Sequence, residues 1–316
     1  MALDVLSMGR TLVDLYPEQD GPLETVTTYA SSVGGSPSNV AIAAARLGRR
    51  TGMISRVGDD PLGRYARAAL AAAGVDVSQV IAVAGAVTPV AVCEIQDPFP
   101  LTIYRPEPPV DAAIEAETLD VDAVGSTAIL WTSLSGHAAE PSRSAHRRAA
   151  ELRRGAELVL DLDYRPAFWG SEADATAAAA DALATATVVI GNLDESRMAT
   201  GAMTAEDAAD RLLAAGARLA IVKLGPDGVL AATAGDRIRV APIPVRQVNG
   251  LGAGDAFGGA LCHGLLAGWG LDELLAFANA AGAVVASRRG CATAMPTAAE
   301  VGELLAGSRR ATSPPA

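Results

Sequence analysis

Cysteine and histidine are scarce in this chain, with three of each among 316 residues. Cys93, Cys262 and Cys291 stand far apart without a C-x-x-C pair, and His137, His146 and His263 show no metal-ligand spacing. Neither a disulfide framework nor a zinc site is indicated, so the thiols are expected to be buried and reduced, and the imidazoles to serve in the core or at the surface. Positive charge is short as well: 25 Lys and Arg against 36 Asp and Glu leave a formal charge of -11. Phosphate backbones need clustered cations, so no nucleic-acid partner is expected. No run of 18 apolar residues occurs, and Asp4, Arg10 and Asp14 interrupt what would be the apolar core of a signal peptide. A cytoplasmic chain without a membrane partner is the expectation. Two nucleotide-binding strings are also missing, G-x-x-x-x-G-K-[ST] anywhere and G-x-G-x-x-G near the first strand. A conventional P-loop is thereby excluded.

What is present is apolar content, 50% of the residues, enough for one large α/β domain or two smaller ones. "LDVLSMG" reads as a short buried strand ended by Gly9. In "GSPSNVAIAAARLG" (35–48) Val40, Ala43, Ala44 and Leu47 share one helical face, with Ser36 or Ser38 placed to cap it and Gly48 to end it. "RTGMISRVG" returns to strand and "DPLGRYARAALAAAGV" to helix. This alternation predicts a mostly parallel sheet with helices on both faces. Residues 78–110 break it with two or three β-rich runs and no helix signal, which predicts an antiparallel lid outside the main sheet, with further strands from 11–33. The alternation resumes in "AILWTSL", "ELVLDLDY", "TVVIGN" and "LAIVKLG", separated by helices over 173–185 and 204–215. One domain over 1–310 with a disordered tail at 311–316 is expected. Ligands of open α/β sheets gather at the carboxyl ends of strands, which makes Asp163, Arg165, Asn192, Glu195 and Gly225 candidates from position alone.

The stretch "VNGLGAGDAFGGALCHGLLAG" (248–268) puts Gly252, Gly254, Gly258 and Gly259 with Asp255 where a helix begins. A helix-interior glycine costs roughly 1 kcal/mol against alanine. At a helix N-terminus the first N–H groups lack partners and the dipole is positive, so bare backbone invites an anion such as a phosphate. A tight turn and close helix packing would use the same glycines.

"GGSPSNVAIAAARLG" and "NGLGAGDAF" resemble the two signatures of the ribokinase-like (PfkB) sugar-kinase family, and "GNLDE" and "KLGPDG" resemble its phosphate and metal motifs in the expected order. The resemblance spans nearly the whole chain and implies a three-layer fold with a small β lid, and an ATP- and Mg²⁺-dependent kinase. It implies that Asp255 is the catalytic base and that the N–H groups of Gly252, Ala253 and Gly254 form the anion hole. Asn192, Lys223, Gly225, Gly228, Asn279 and Gly282 would serve the nucleotide, and Glu195 the metal through water. Asp14, Gly34, Gly35 and Asn39 would contact the sugar. "VDLYP", "EPSRSAH", "DLDYRPAFW" and "FANAAGAVVASRRGCATAMPT" resemble the sugar-acid kinases of myo-inositol breakdown within the family. A sugar carboxylate needs a guanidinium, for which Arg165 and Arg105 are the candidates. Keto-deoxygluconate, fructose or ribose as substrate, or a regulator without turnover, are the rival readings. Asn249 stands where the family commonly has an Asp that helps hold a monovalent cation. By analogy the lid would pair two subunits.

Overall fold

The strands sort their side chains between two faces with period two, and this builds the layers. The computed structural model describes residues 2–19, 21–94, 100–155 and 157–312. The main sheet runs β14 (Arg237–Val240), β13 (Val229–Ala232), β12 (Leu219–Lys223), β11 (Val188–Asn192), β10 (Glu157–Asp161), β9 (Ile129–Ser133), β1 (Val5–Met8), β4 (Thr51–Gly58) and β5 (Val75–Asp76), with β6 (Val80–Val83) also on β4. It is parallel except for β13 and β14. Val159, Val188, Ile190, Leu219 and Ile221 face one apolar core with α1 (Ser36–Arg46), α8 (Ala253–Ala267) and α9 (Leu271–Ala286). Their neighbours Leu160, Val189, Ala220 and Val222 face another with α5 (Glu172–Leu183), α6 (Leu193–Thr200) and α7 (Ala205–Ala214). Both faces are covered, as strands with near-continuous apolar runs require. The α2 helix (Pro61–Ala72) joins the first core, while α3 (Val121–Ser126) and α4 (Ser142–Leu152) cover a third cluster around Leu6, Met8 and Leu130. The last helix, α10, runs Ala298–Thr312. Of the expected disordered tail, Ala311 and Thr312 belong to α10, and 313–316 lie outside the described residues.

A separate four-stranded sheet, ordered β3 (Tyr29–Gly34), β2 (Leu12–Pro17), β7 (Val90–Cys93) and β8 (Leu101–Tyr104), is the lid. It is mixed rather than wholly antiparallel, since β2 and β7 run parallel. The connectivity explains this: β2 follows β1 and β7 follows β6, two strands parallel to β4, so both leave the main sheet the same way. Residues 80–83 thus belong to the main sheet, as β6.

Two glycines of the 248–268 stretch are there for packing. A Cβ on Gly258 would stand 2.5 Å from the Trp131 ring, and one on Gly259 would stand 2.8 Å from Ala44 N of α1. Real side chains do not tolerate such approaches, so α8 lies close on both β9 and α1 only because these positions are bare. Gly252 precedes α8 with φ 82°, the left-handed region that glycine enters without steric cost.

Candidate active site

The carboxyl ends of the parallel strands and the start of α8 converge beneath the lid. One cavity is lined by Arg10 after β1, Asp14 and Tyr16 of β2, Gly35 and Asn39 at the start of α1, and Arg165 after β10. Gly252, Asp255 and the thiols Cys93 and Cys291 complete its wall. Asp255 is the third residue of α8, and its Oδ2 accepts a 2.8 Å hydrogen bond from Asn39 Nδ2. Burial pushes its carboxyl up to about 6 even though Asn39 and Ser36 hydrogen-bond the charged form; Asp161 and Asp163 add to the rise. No side chain caps α8, and the N–H groups of Ala253 and Gly254 have no acceptor among the described residues. A Cβ on Gly254 would stand 3.1 Å from Lys223 Nζ, so the ammonium at the end of β12 sits beside these free donors. Lys223 Nζ is also 3.9 Å from Asp161, and although burial alone would lower its pKa, the carboxylates of Asp161, Glu195 and Asp255 hold it above the usual lysine value. Orphan N–H groups, a helix dipole and a cation at one point can receive an anion.

On the lid side, Asp14 lies against Gly34, where any Cβ would strike its carboxylate, and Tyr16 Oη donates to Asp14 Oδ2 at 3.3 Å and to Cys291 Sγ at 2.7 Å. Gly35, with φ 98°, is the residue before α1, and a Cβ there would strike the Arg10 carbonyl. It replaces the predicted serine cap: Ser36 Oγ reaches Asp161 and Ser38 Oγ the Arg10 carbonyl, so neither is left to cap the helix. Burial raises Asp14 to about 7, against the Tyr16 hydrogen bond and with help from Asp255. Its unfolded value is 3.8, so the folded state holds the proton more tightly. The stability this group contributes is therefore greatest below about pH 4 and is lost as pH rises through about 7. Asp14→Asn is expected to gain about 2–4 kcal/mol at pH 8, since a tenfold change in proton affinity is worth about 1.4 kcal/mol, and to gain little near pH 4. Melting temperatures across that range check it; an equal gain at both ends would refute it.

Arg165 Nη2 pairs with Asp163 Oδ1 at 2.8 Å and keeps 44% of its side chain exposed. Arg105 does not line the cavity: its Nε donates to Asp111 Oδ1 at 2.9 Å and its guanidinium stacks 4.6 Å from the Phe168 centroid, so its charge is already matched. Asn192 and Glu195 form a reciprocal capping box at the start of α6, with Glu195 N donating to Asn192 Oδ1 at 2.8 Å and Asn192 N to Glu195 Oε2 at 2.7 Å. That leaves Glu195 Oε1 without a hydrogen bond from the described residues. Gly225 and Gly228 form the tight β12–β13 turn at φ 57° and 89°. Asn279 Nδ2 donates to the Ala241 carbonyl at 2.8 Å, and Gly282 lets α9 approach Ala253 O, where a Cβ would stand 3.0 Å away. None of these six lines the cavity; they stand at the ends of β11 and β12, on the first turn of α6 and on α9. Asn249 is fully buried, and its Nδ2 donates to the carbonyls of Leu251 at 3.4 Å and Gly290 at 3.2 Å. Sequence reasoning missed Arg10, Tyr16 and Asp161. Arg10 follows the first strand, so the strand-end rule that selected Arg165 also reaches it; Tyr16 and Cys291 are 275 positions apart and no local signal joins them.

A family model described as "pfkB family carbohydrate kinase" matches residues 2–298. A protein of Shouchella clausii (strain KSM-K16) named 5-dehydro-2-deoxygluconokinase is 33% identical over 311 residues, covering 96% of this chain and 95% of that one. Among solved structures, a PfkB protein from Polaromonas sp. JS666 superposes with a TM-score of 0.86 at 30% identity, over 95% of this chain and 99% of its own. A fructokinase from Vibrio cholerae O395, solved with fructose, ADP and calcium ion bound, gives 0.85 at 27% identity over 95% and 98%.

Proposed function

The chain belongs to the pfkB family of carbohydrate kinases, and on that premise we propose that it transfers the γ-phosphate of ATP to the terminal C6 hydroxyl of 5-dehydro-2-deoxygluconate, a sugar acid of myo-inositol breakdown. The observation that carries the reading is a half-buried carboxylate, Asp255, at the uncapped start of α8 in the same cavity as Arg165 and Asp14. Phosphoryl transfer is largely dissociative, so positioning and charge stabilisation matter more than strong basicity. Asn39 holds the Asp255 carboxylate toward the acceptor hydroxyl, and the carboxylate takes the proton late. The free N–H groups of Ala253 and Gly254, with Lys223 beside them, receive the negative charge of the transferring group. Asp14 accepts hydrogen bonds from sugar hydroxyls, and Arg165 meets the carboxylate.

Magnesium, bound with the nucleotide, would supply charge neutralisation on the triphosphate and would need few protein ligands. The chain offers no cluster of three or more His, Cys, Asp or Glu side chains able to hold a metal among the described residues, which suits an ion carried in on the nucleotide. Glu195, whose Oε1 has no protein donor among the described residues, would be the residue to hold the ion through water. Asn249 brings an amide rather than a carboxylate to this position, and its Nδ2 already donates to the carbonyls of Leu251 and Gly290, so no monovalent cation is expected to be held there. Replacing K⁺ by Na⁺ or tetramethylammonium is therefore expected to change kcat by less than about twofold, the scale of a few tenths of a kcal/mol. A rate that collapses without K⁺ would overturn this.

The test of the function is ATP consumption over a panel of 5-dehydro-2-deoxygluconate, 2-keto-3-deoxygluconate, fructose and ribose. Highest kcat/KM on the first supports the reading. A best rate on another sugar replaces the substrate, and no turnover on any, with ATP still bound, points to a sugar- or nucleotide-binding regulator.

A further inference from the structure

Arg10 is a buried cation that the reaction described above does not use. It is 4% exposed, lines the cavity, and comes off the end of β1 directly beneath the lid. Its Nε donates to Ser135 Oγ at 3.2 Å and its Nη2 to Asp163 Oδ2 at 2.8 Å, while Nη1 takes no partner among the described residues. The other oxygen of Asp163 is held by Arg165 at 2.8 Å. Two guanidinium groups thus share one carboxylate, so each keeps N–H groups that Asp163 does not occupy, Arg10 Nη1 among them. Asp14 and Asp255 stand on the rest of the cavity, so the cavity is cationic at one side and acidic elsewhere. A neutral sugar gains little from such a wall of charged donors, whereas a carboxylate takes charge-assisted hydrogen bonds from it.

From this we infer that Arg10 and Arg165 together, braced by Asp163, form the seat for the substrate carboxylate, and that Arg10 is a determinant of acid over neutral sugars. This rests on the kinase reading above. Asp163 has a positioning role: Ser135 and the two arginines hold its carboxylate, and it fixes both guanidinium planes at once. Phe168 adds to the bracing, since the Arg10 guanidinium lies 4.5 Å from its ring centroid. A planar fork with its remaining N–H groups free matches a carboxylate, which an ammonium on a flexible stem does not.

The experiment compares 5-dehydro-2-deoxygluconate with fructose on wild type, Arg10→Gln and Arg10→Lys, with ATP binding and melting temperature measured on each. Arg10→Gln is expected to raise KM for the acid at least about thirtyfold while fructose changes less than threefold, the cost expected of a charge-assisted partner. Arg10→Lys, which keeps the charge against Asp163, is expected to raise it about tenfold and to leave fructose alone. If Arg10→Gln does not fold, Arg10→Lys decides. Equal losses on the two substrates, or none on either, in an enzyme whose wild type prefers the acid, overturn this inference and leave the kinase reading standing. A wild type that takes fructose as well as the acid overturns the sugar-acid reading, and the inference with it.

Discussion

Asp255→Asn is expected to lower kcat by about 10² or more, the range of a positioned acid–base group, while fold and ATP affinity stay near those of wild type. The amide is isosteric, and at the third position of α8 the side chain lies beside the Asn39 amide rather than in the apolar core. What is lost is the acceptor for the hydroxyl proton. The pH profile separates this role from a structural one. Burial sets Asp255 near 6 and Asp14 near 7, and the proposed mechanism uses each in its ionised form. The logarithm of kcat/KM, which follows groups of the free enzyme, is then expected to fall with a slope approaching two below about pH 6 in wild type and one in Asp255→Asn. Steady-state kinetics with calorimetric ATP titration give both numbers. Near-normal turnover, or an unchanged slope, would remove Asp255 from the base role and turn attention to Asp161. That carboxyl is also raised by burial, against the pull of Lys223.

The features legible in the sequence were those that repeat locally. Strands such as "TVVIGN" carry enough apolar residues in succession to bury both faces, and β11 follows at Val188–Asn192 with its polar end at the site edge. The Gly-rich start of α8 was legible too, though its four glycines divide their work in a way spacing does not reveal. Gly252 turns the chain, Gly254 leaves room beside Lys223, and Gly258 and Gly259 admit Trp131 and α1. The packing reading holds for Gly252, Gly258 and Gly259, and the same string leaves the start of α8 uncapped beside Lys223. The capping box at Asn192 and Glu195 makes the same point, because the bonds that end β11 and start α6 also hold one Glu195 oxygen and free the other. What the sequence hid is pairing across long separations: Arg10 meets Asp163 from 153 positions away, and Tyr16 meets Cys291 from 275. Such contacts follow from strand order, with β1 beside β9 and β9 beside β10, and strand order is not written in any one segment.

Arg165→Met is expected to lower kcat/KM for the sugar acid by about 2 kcal/mol, roughly thirtyfold, and to leave fructose within a few-fold of wild type. A fully buried carboxylate partner would cost more; with 44% of the Arg165 side chain exposed, solvent screens part of the interaction. The pair with Asp163 bears on the fold as well as on the substrate. Burial alone would raise the Asp163 carboxyl, yet Arg165 and Arg10 hold it below the usual carboxylate value. After Arg165→Met, Asp163 keeps Arg10 Nη2 and Ser135 Oγ, so its charge stays compensated and the chain is expected to fold. The loss therefore falls on the ligand, and it falls selectively, because methionine preserves much of the apolar stem while removing the charge that only an acid uses. Kinetics on both sugars, with added salt as a third variable, decide the matter. The acid's KM in wild type should rise with ionic strength and that of fructose should not, since only the former is held by an ion pair in partial contact with water. Equal losses on the two substrates would show that Arg165 serves ATP or the fold, and the carboxylate would then have to be met elsewhere in the cavity.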